Sequence, residues 1–149
     1  MKFRIEEDSL GKVRVPRNAL WGAQTQRAID NFPISGISMN FPFTSTFISM
    51  LGYVKDAAAR ANKNLKLLEA KKQRVISRAA KEVWKNKHGK EFPIDVFQTG
   101  SGTSTNMNAN EVIANLCYKT SKVKIHPNDD VNMSQSSNDV ITTVMNLAY

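Results

Sequence analysis

The sequence has a single cysteine, Cys117. That excludes an internal disulfide, and one thiolate cannot by itself hold an iron–sulfur cluster or a thiolate zinc site. Histidine is nearly as scarce. His88 and His126 stand far apart with no ligand spacing between them, so no metal centre is expected. No apolar run approaches the roughly 20 residues of a membrane span. The opening Met1-Lys-Phe-Arg-Ile-Glu-Glu-Asp8 lacks a secretory apolar core. No membrane partner is expected, and a cytoplasmic location is the default. Nucleotide-loop signatures are missing too. The Gly100-Ser-Gly-Thr103 turn lacks the Gly-Lys-Ser/Thr ending of a P-loop, and GxGxxG spacing is absent.

What is present is a globular composition. Hydrophobic residues make up 41% and charged residues 23% of 149, which suits one domain with a core rather than a disordered chain. The formal charge of +8 admits two readings. One is a basic, non-catalytic helical module that binds nucleic acid. The favoured one is a solvated helical surface, because much of the excess lies between Lys63 and Lys90 on a helical pattern with apolar gaps. No nucleic-acid partner is therefore expected.

The chain reads as mainly α. Residues 1–15 form a short extended arm, and Pro16 suits the first turn of a helix running to about Asn31. An irregular loop covers 37–43, with Pro42 within it. Thr44 or Ser45 can cap the next helix, whose apolar face steps through Phe47, Leu51, Val54, Ala58 and Ala61. A further helix buries Val75, Ile76, Ala79, Ala80, Val83 and Trp84, exposes Lys71, Lys72, Arg74, Arg78 and Lys81, and closes at Gly89. Residues 92–97 are extended and feed the glycine turn. Helical pattern resumes from Asn108, with Cys117 on the apolar face, buried and inert. A basic connector spans 119–125. The last helix starts near Ser136 or Ser137, with Asn138 and Asp139 in its first turn and Val140, Val144, Leu147 and Ala148 on its apolar face. It stops at Tyr149 without a capping signal, which suggests a chain cut just inside a following domain.

Residues 97–139 are dense in hydroxyls and carboxamides, among them Ser101, Thr103, Asn106, Asn110, Ser136, Ser137 and Asn138. Such neutral groups hold a carboxylate without a metal and accommodate charge that grows during a reaction. Each motif also has a plain reading. Gly-Ser-Gly can simply turn the chain into a helix, or it can hold a small anion on backbone N–H groups. Ser136-Ser-Asn138 can be a helix cap, which is also where a carboxylate binds best. His126 can be a satisfied loop residue.

Five segments together favour the functional readings. Ala19-Leu-Trp-Gly-Ala-Gln-Thr-Gln-Arg-Ala28, Gln98-Thr-Gly-Ser-Gly-Thr103, Asn106-Met-Asn-Ala-Asn-Glu-Val112, His126-Pro-Asn-Asp129 and Gln135-Ser-Ser-Asn-Asp139 resemble class II fumarase of the fumarase/aspartase superfamily. The resemblance runs from about Arg4 to Tyr149 and covers the N-terminal third of a family member. Aspartate ammonia-lyases, the nearest alternative, usually carry Asn at the His126 position and Ser-Thr-Asn in the later motif.

The resemblance implies reversible hydration of fumarate to L-malate in the tricarboxylic acid cycle, without metal or cofactor. It implies a mostly helical fold with a central helical bundle, here an N-terminal domain over 1–135 and the bundle's first helix from 136 to 149. It implies a homotetramer. Ser101, Gly102, Thr103, Ser136, Ser137 and Asn138 would bind substrate. His126, Pro127, Asn128 and Asp129 would form a second anion site. The family often has Arg three residues before that histidine. Val123 stands there, leaving the second site weaker or reliant on Lys122 or Lys124. The family's proton-transfer groups lie on a Gly-Ser-Ser-x-Met-Pro loop and in a Thr-His pair. Neither motif occurs in residues 1–149, so no catalytic residue is expected in this chain and alone it should be inactive.

Overall fold

A computed structural model describes residues 2–40 and 44–149. The chain opens with an antiparallel hairpin of β1 (Phe3–Asp8) and β2 (Gly11–Pro16), in register from Phe3 opposite Pro16 to Asp8 opposite Gly11. Among the described residues five α-helices follow: α1 (Ala23–Asn31), α2 (Ser45–Asn64), α3 (Ala70–Trp84), α4 (Thr103–Ser121) and α5 (Ser137–Ala148). The mainly helical reading holds. The Pro42 part of the irregular loop expected over 37–43 lies outside the described residues, as does Met1.

Pro16 ends a strand instead of opening a helix. Arg4 reaches across and donates to the carbonyls of Pro16, Arg17, Ala19 and Trp21 at 2.6–3.2 Å. Those acceptors are removed from helical bonding, so α1 starts only at Ala23. Its first amides, from Gly22, Gln24 and Thr25, are taken by the Glu111 carboxylate of α4 at 2.8–3.1 Å. The carboxylate does what a capping side chain would do, from a different helix.

α4 is the central helix. It is buried without a break from Thr105 to Ala114, with Val112, Ile113, Leu116 and Cys117 joining Ile48, Leu51, Ile76, Val83, Phe92 and Val144 in one core. It begins at Thr103, earlier than the apolar pattern showed. Gln98 Oε1 accepts from both Thr105 N and Thr105 Oγ1 at 2.9 and 2.8 Å, which holds the first turn before any apolar repeat begins. Cys117 is buried, and burial pushes its thiol up to about 12, as an inert core cysteine requires.

α2 and α3 cross closely at Gly52, where an added Cβ would collide with the backbone of Ala80 and Trp84. α3 buries Ile76, Ala79, Ala80 and Val83 as expected, while Trp84 stays partly exposed against Tyr53. Lys71, Arg74, Arg78 and Lys81 lie on its exposed side. The helix closes before Gly89, because Asn86 turns left-handed at φ 51° and returns its N–H to Val83 O at 2.8 Å. Extended residues 94–96 pair briefly with 37–39 through Met39 N to Ile94 O and Val96 N to Ile37 O. Nearby, burial alone would raise the Asp95 carboxyl, but N–H groups of Phe97, Ser35 and Gly36 and the Ser35 hydroxyl outweigh it and hold the acid near 2. No helix among the described residues is long and apolar enough to cross a membrane.

Candidate functional site

The two motif-rich helix starts meet. Gly102 occupies the cap position of α4 at φ 68°, a left-handed backbone that glycine adopts without strain. An added Cβ there would sit 2.9 Å from Ile141 Cγ1 of α5, so the turn lies directly on the first turns of α5. Ser136 caps α5, its Oγ accepting from Asn138 N at 3.2 Å. Between the helices, Asn106 Nδ2 donates to Ser137 Oγ at 3.1 Å.

Ser101, Thr103, Ser136 and Asn138 are all exposed beside this contact, and Gly102 and Ser137 are half-buried. Ser101 and Thr103 share a hydroxyl hydrogen bond of 2.8 Å. The starts of α4 and α5, with their hydroxyls and a carboxamide, are thus brought together through Gly102–Ile141 and Asn106–Ser137. Positive partial charge from both helices favours a carboxylate there.

His126, Pro127, Asn128 and Asp129 lie elsewhere, at a short π-type turn, Pro127–Val131. His126 Nδ1 accepts from Asp129 N at 3.1 Å and lies 3.2 Å from the Asp129 carboxylate. Asp130 holds the turn in place, accepting from His126 N at 2.9 Å and from Lys72 Nζ at 2.8 Å. That pairing raises the Lys72 ammonium above its ordinary value. His126, Pro127 and Asn128 line a cavity of about 410 Å³ together with Lys124, Glu6, Glu7 and Asp8. Glu6 is paired with Arg4 and Asp8 with Arg27, while Glu7 and the α1-capping Glu111 also line the wall. Of the two lysines considered beside Val123, Lys124 faces the cavity, whereas Lys122 lies over the Tyr118 ring at 5.5 Å. Among the described residues, no three His, Cys, Asp or Glu side chains cluster as a metal centre would need.

A polar cluster under the site went unread in the sequence. Lys55 of α2 is fully buried and donates to Asn132 Oδ1 at 3.0 Å and Gln135 Oε1 at 2.9 Å. Asn106 and Asn110 of α4 donate to the same Asn132 oxygen, each at 3.1 Å. Burial pushes Lys55 down to about 7. The available signal was its spacing: Ile48, Leu51, Lys55, Ala59 and Asn62 step by three and four.

A family model described as lyase matches residues 11–149. This chain belongs to that lyase family. A class II fumarate hydratase of Xylella fastidiosa is 54% identical over 147 residues, covering 99% of this chain and 30% of that protein. The class II fumarase of Schistosoma mansoni superposes with a TM-score of 0.90 at 39% identity, over 99% of this chain and 32% of that one. A fumarate lyase:delta crystallin of Brucella melitensis gives 0.92 at 44%, over 97% and 34%. The chain therefore spans about 30% of the length of the curated relatives it matches. As a lyase-family chain it carries the five motifs on one connected framework. α4 bears the asparagine motif and Glu111, which clamps the Trp21-Gly-Ala-Gln segment, and it ends where the chain leads to His126.

Proposed function

We propose that this chain is the N-terminal third of a class II fumarate hydratase, which adds water reversibly to fumarate to give L-malate. The contact of the α4 and α5 starts carries the reading: Gly102 lies against Ile141 and Asn106 donates to Ser137, which supports a site shared by Ser101, Gly102 and Thr103 with Ser136, Ser137 and Asn138. Together these bind one dicarboxylate. Removing a proton next to a carboxylate puts a second negative charge on that group. Preorganised neutral donors stabilise the added charge by about 3 kcal/mol each in favourable cases, and they avoid burying uncompensated cations.

His126, Pro127, Asn128 and Asp129 form an accessory anion site, the first three of them lining the cavity that Lys124 also lines. Residues 136–149 begin the central bundle of a homotetramer, and 1–135 form the N-terminal domain. The enzyme works in the cytoplasm, in the tricarboxylic acid cycle, and has no nucleic-acid partner. The relatives' names and the Ser-Ser-Asn and His126 motifs support this choice within the family.

Purified full-length protein should consume fumarate absorbance and form malate without ammonia. A requirement for ammonia would make it an aspartate ammonia-lyase. Salt-sensitive binding of DNA or RNA, with no effect of dicarboxylates, would make it a binding module.

A further inference from the structure

Lysine is almost never fully buried unless paired, and a buried cation carries a large desolvation cost. Lys55 is fully buried, yet its ammonium faces two neutral carboxamide oxygens, Asn132 Oδ1 and Gln135 Oε1. The neighbouring acid on its own helix, Asp56, pairs with Arg60 instead. An apolar side chain would fill the space at lower cost, so the amine is placed for its donors.

Those donors act on one short turn. Three N–H donors, from Lys55, Asn106 and Asn110, converge on Asn132 Oδ1 at 3.0–3.1 Å. The other end of that carboxamide donates to Gln135 O at 3.1 Å. Gln135 Nε2 in turn donates to the carbonyls of Val131 and Met133 at 2.9 and 3.0 Å. Between them Ser134 sits at φ 58°, an uncommon backbone for a residue with a side chain. The turn is thus held by side chains, and it runs directly into Ser136, the cap of α5.

We propose that Lys55 is a positioning residue for the substrate site: through Asn132 and Gln135 it fixes the turn that presents Ser136, Ser137 and Asn138. It touches no substrate itself. Burial pushes its ammonium down to about 7, but a neutral amine still has two N–H groups for its two acceptors, so the hold persists in both protonation states. The inference rests on the fumarate hydratase reading for its kinetic consequence, and on geometry alone for its effect on the turn.

The test uses the full-length protein and Lys55→Met, with Lys63→Met on the exposed side of α2 as control. Hydrogen exchange of the amides in 132–140 should quicken at least about ten-fold in Lys55→Met, the scale of one lost hydrogen bond to a charged group, while α3 keeps wild-type protection. Fumarate KM should rise roughly 10- to 100-fold with a smaller change in kcat, as expected for lost binding geometry rather than lost chemistry. Combined with Asn138→Ala, the losses in kcat/KM should be less than additive, because both act through one segment. Unchanged exchange in 132–140, or full additivity in a folded double variant, overturns the inference. A wild-type protein that does not turn over fumarate overturns the functional reading alone. The exchange result then decides the role of Lys55 by itself. If Lys55→Met does not fold, Gln135→Met removes an acceptor from the half-buried turn instead. The same local exchange and KM effects are expected, and wild-type values for both would overturn the proposal.

Discussion

Asn106 and Ser137 join the two halves of the site: Asn106 Nδ2, deep in α4, donates to Ser137 Oγ in the first turn of α5 at 3.1 Å. The same carboxamide nitrogen also reaches Asn132 Oδ1 at 3.1 Å. One buried side chain therefore sets the position of α5 and of the turn before it. Asn106→Ala should lower the midpoint of thermal unfolding. The cost is about 1–3 kcal/mol, from polar groups left without a partner and the cavity.

Asn138 is exposed in the first turn of α5, within the proposed substrate site. Asn138→Ala in the full-length enzyme should lower fumarate turnover by roughly two to three orders of magnitude, as for one lost preorganised donor. Unfolding should be almost unchanged. Wild-type kinetics in the folded variant would remove Asn138 from the site.

His126→Asn should keep most activity. The imidazole sits on its own turn, its Nδ1 engaged by Asp129 N, and among the described residues no serine hydroxyl is hydrogen-bonded to it as a nucleophile would be. Steady-state kinetics checks this. A folded variant that had lost nearly all turnover would move His126 into the proton-transfer centre.

Gly102→Ala adds a methyl group 2.9 Å from Ile141 Cγ1 on a backbone at φ 68°. Left-handed backbone strain of about 1–2 kcal/mol combines with overpacking of similar size. The variant should unfold at lower denaturant and lose fumarate affinity. Adding Ile141→Val should recover part of the stability. Equal stability of Gly102→Ala and wild type would show that the two helix starts are not in this contact.

The helix starts that frame the candidate site were legible in the sequence because their signals are local. A Ser cap and an Asp in the first turn mark the start of α5, and that is where the helix begins. The glycine turn likewise sits at the start of α4. Non-local polar contacts hid the rest. Phe47, Val54, Ala58 and Ala61 looked like the buried face of α2, but the buried stripe is rotated to Ile48, Leu51, Gly52, Lys55, Asp56, Ala59 and Asn62. Apolar periodicity cannot find a face whose polar members are satisfied by α4 and the 132–135 turn. The late start of α1 was hidden for the same reason, since Arg4 and Glu111 act from distant points in the chain. On α5, Leu147 belongs to the expected apolar face but remains exposed, with little of this chain packed on the last turn.

Lys55 gives a pH dependence whose sign follows from burial. Its group titrates near 7 when folded and near its ordinary value of about 10.4 when unfolded. Between those values the unfolded chain holds a proton that the folded one lacks, so stability rises with pH across that window. Below about pH 7 both states are protonated and the dependence ends. Urea unfolding of the full-length protein at pH 7 and pH 9 should show this rise relative to Lys55→Met, in which the contribution is missing. A wild-type curve parallel to that of Lys55→Met would contradict it.

On the proposed reading, this chain supplies binding groups for fumarate and no proton-transfer groups. Fumarate-to-malate conversion, measured side by side on the full-length protein and on the 149-residue chain at high concentration, tests it most directly. Hydration needs one group for the carbon-bound proton and another for the water proton. Ammonia-independent turnover is expected from the full-length protein and none from the shorter chain. A full-length protein inert toward fumarate, or a 149-residue chain within about a hundred-fold of it when both acid–base groups should be missing, would contradict the account.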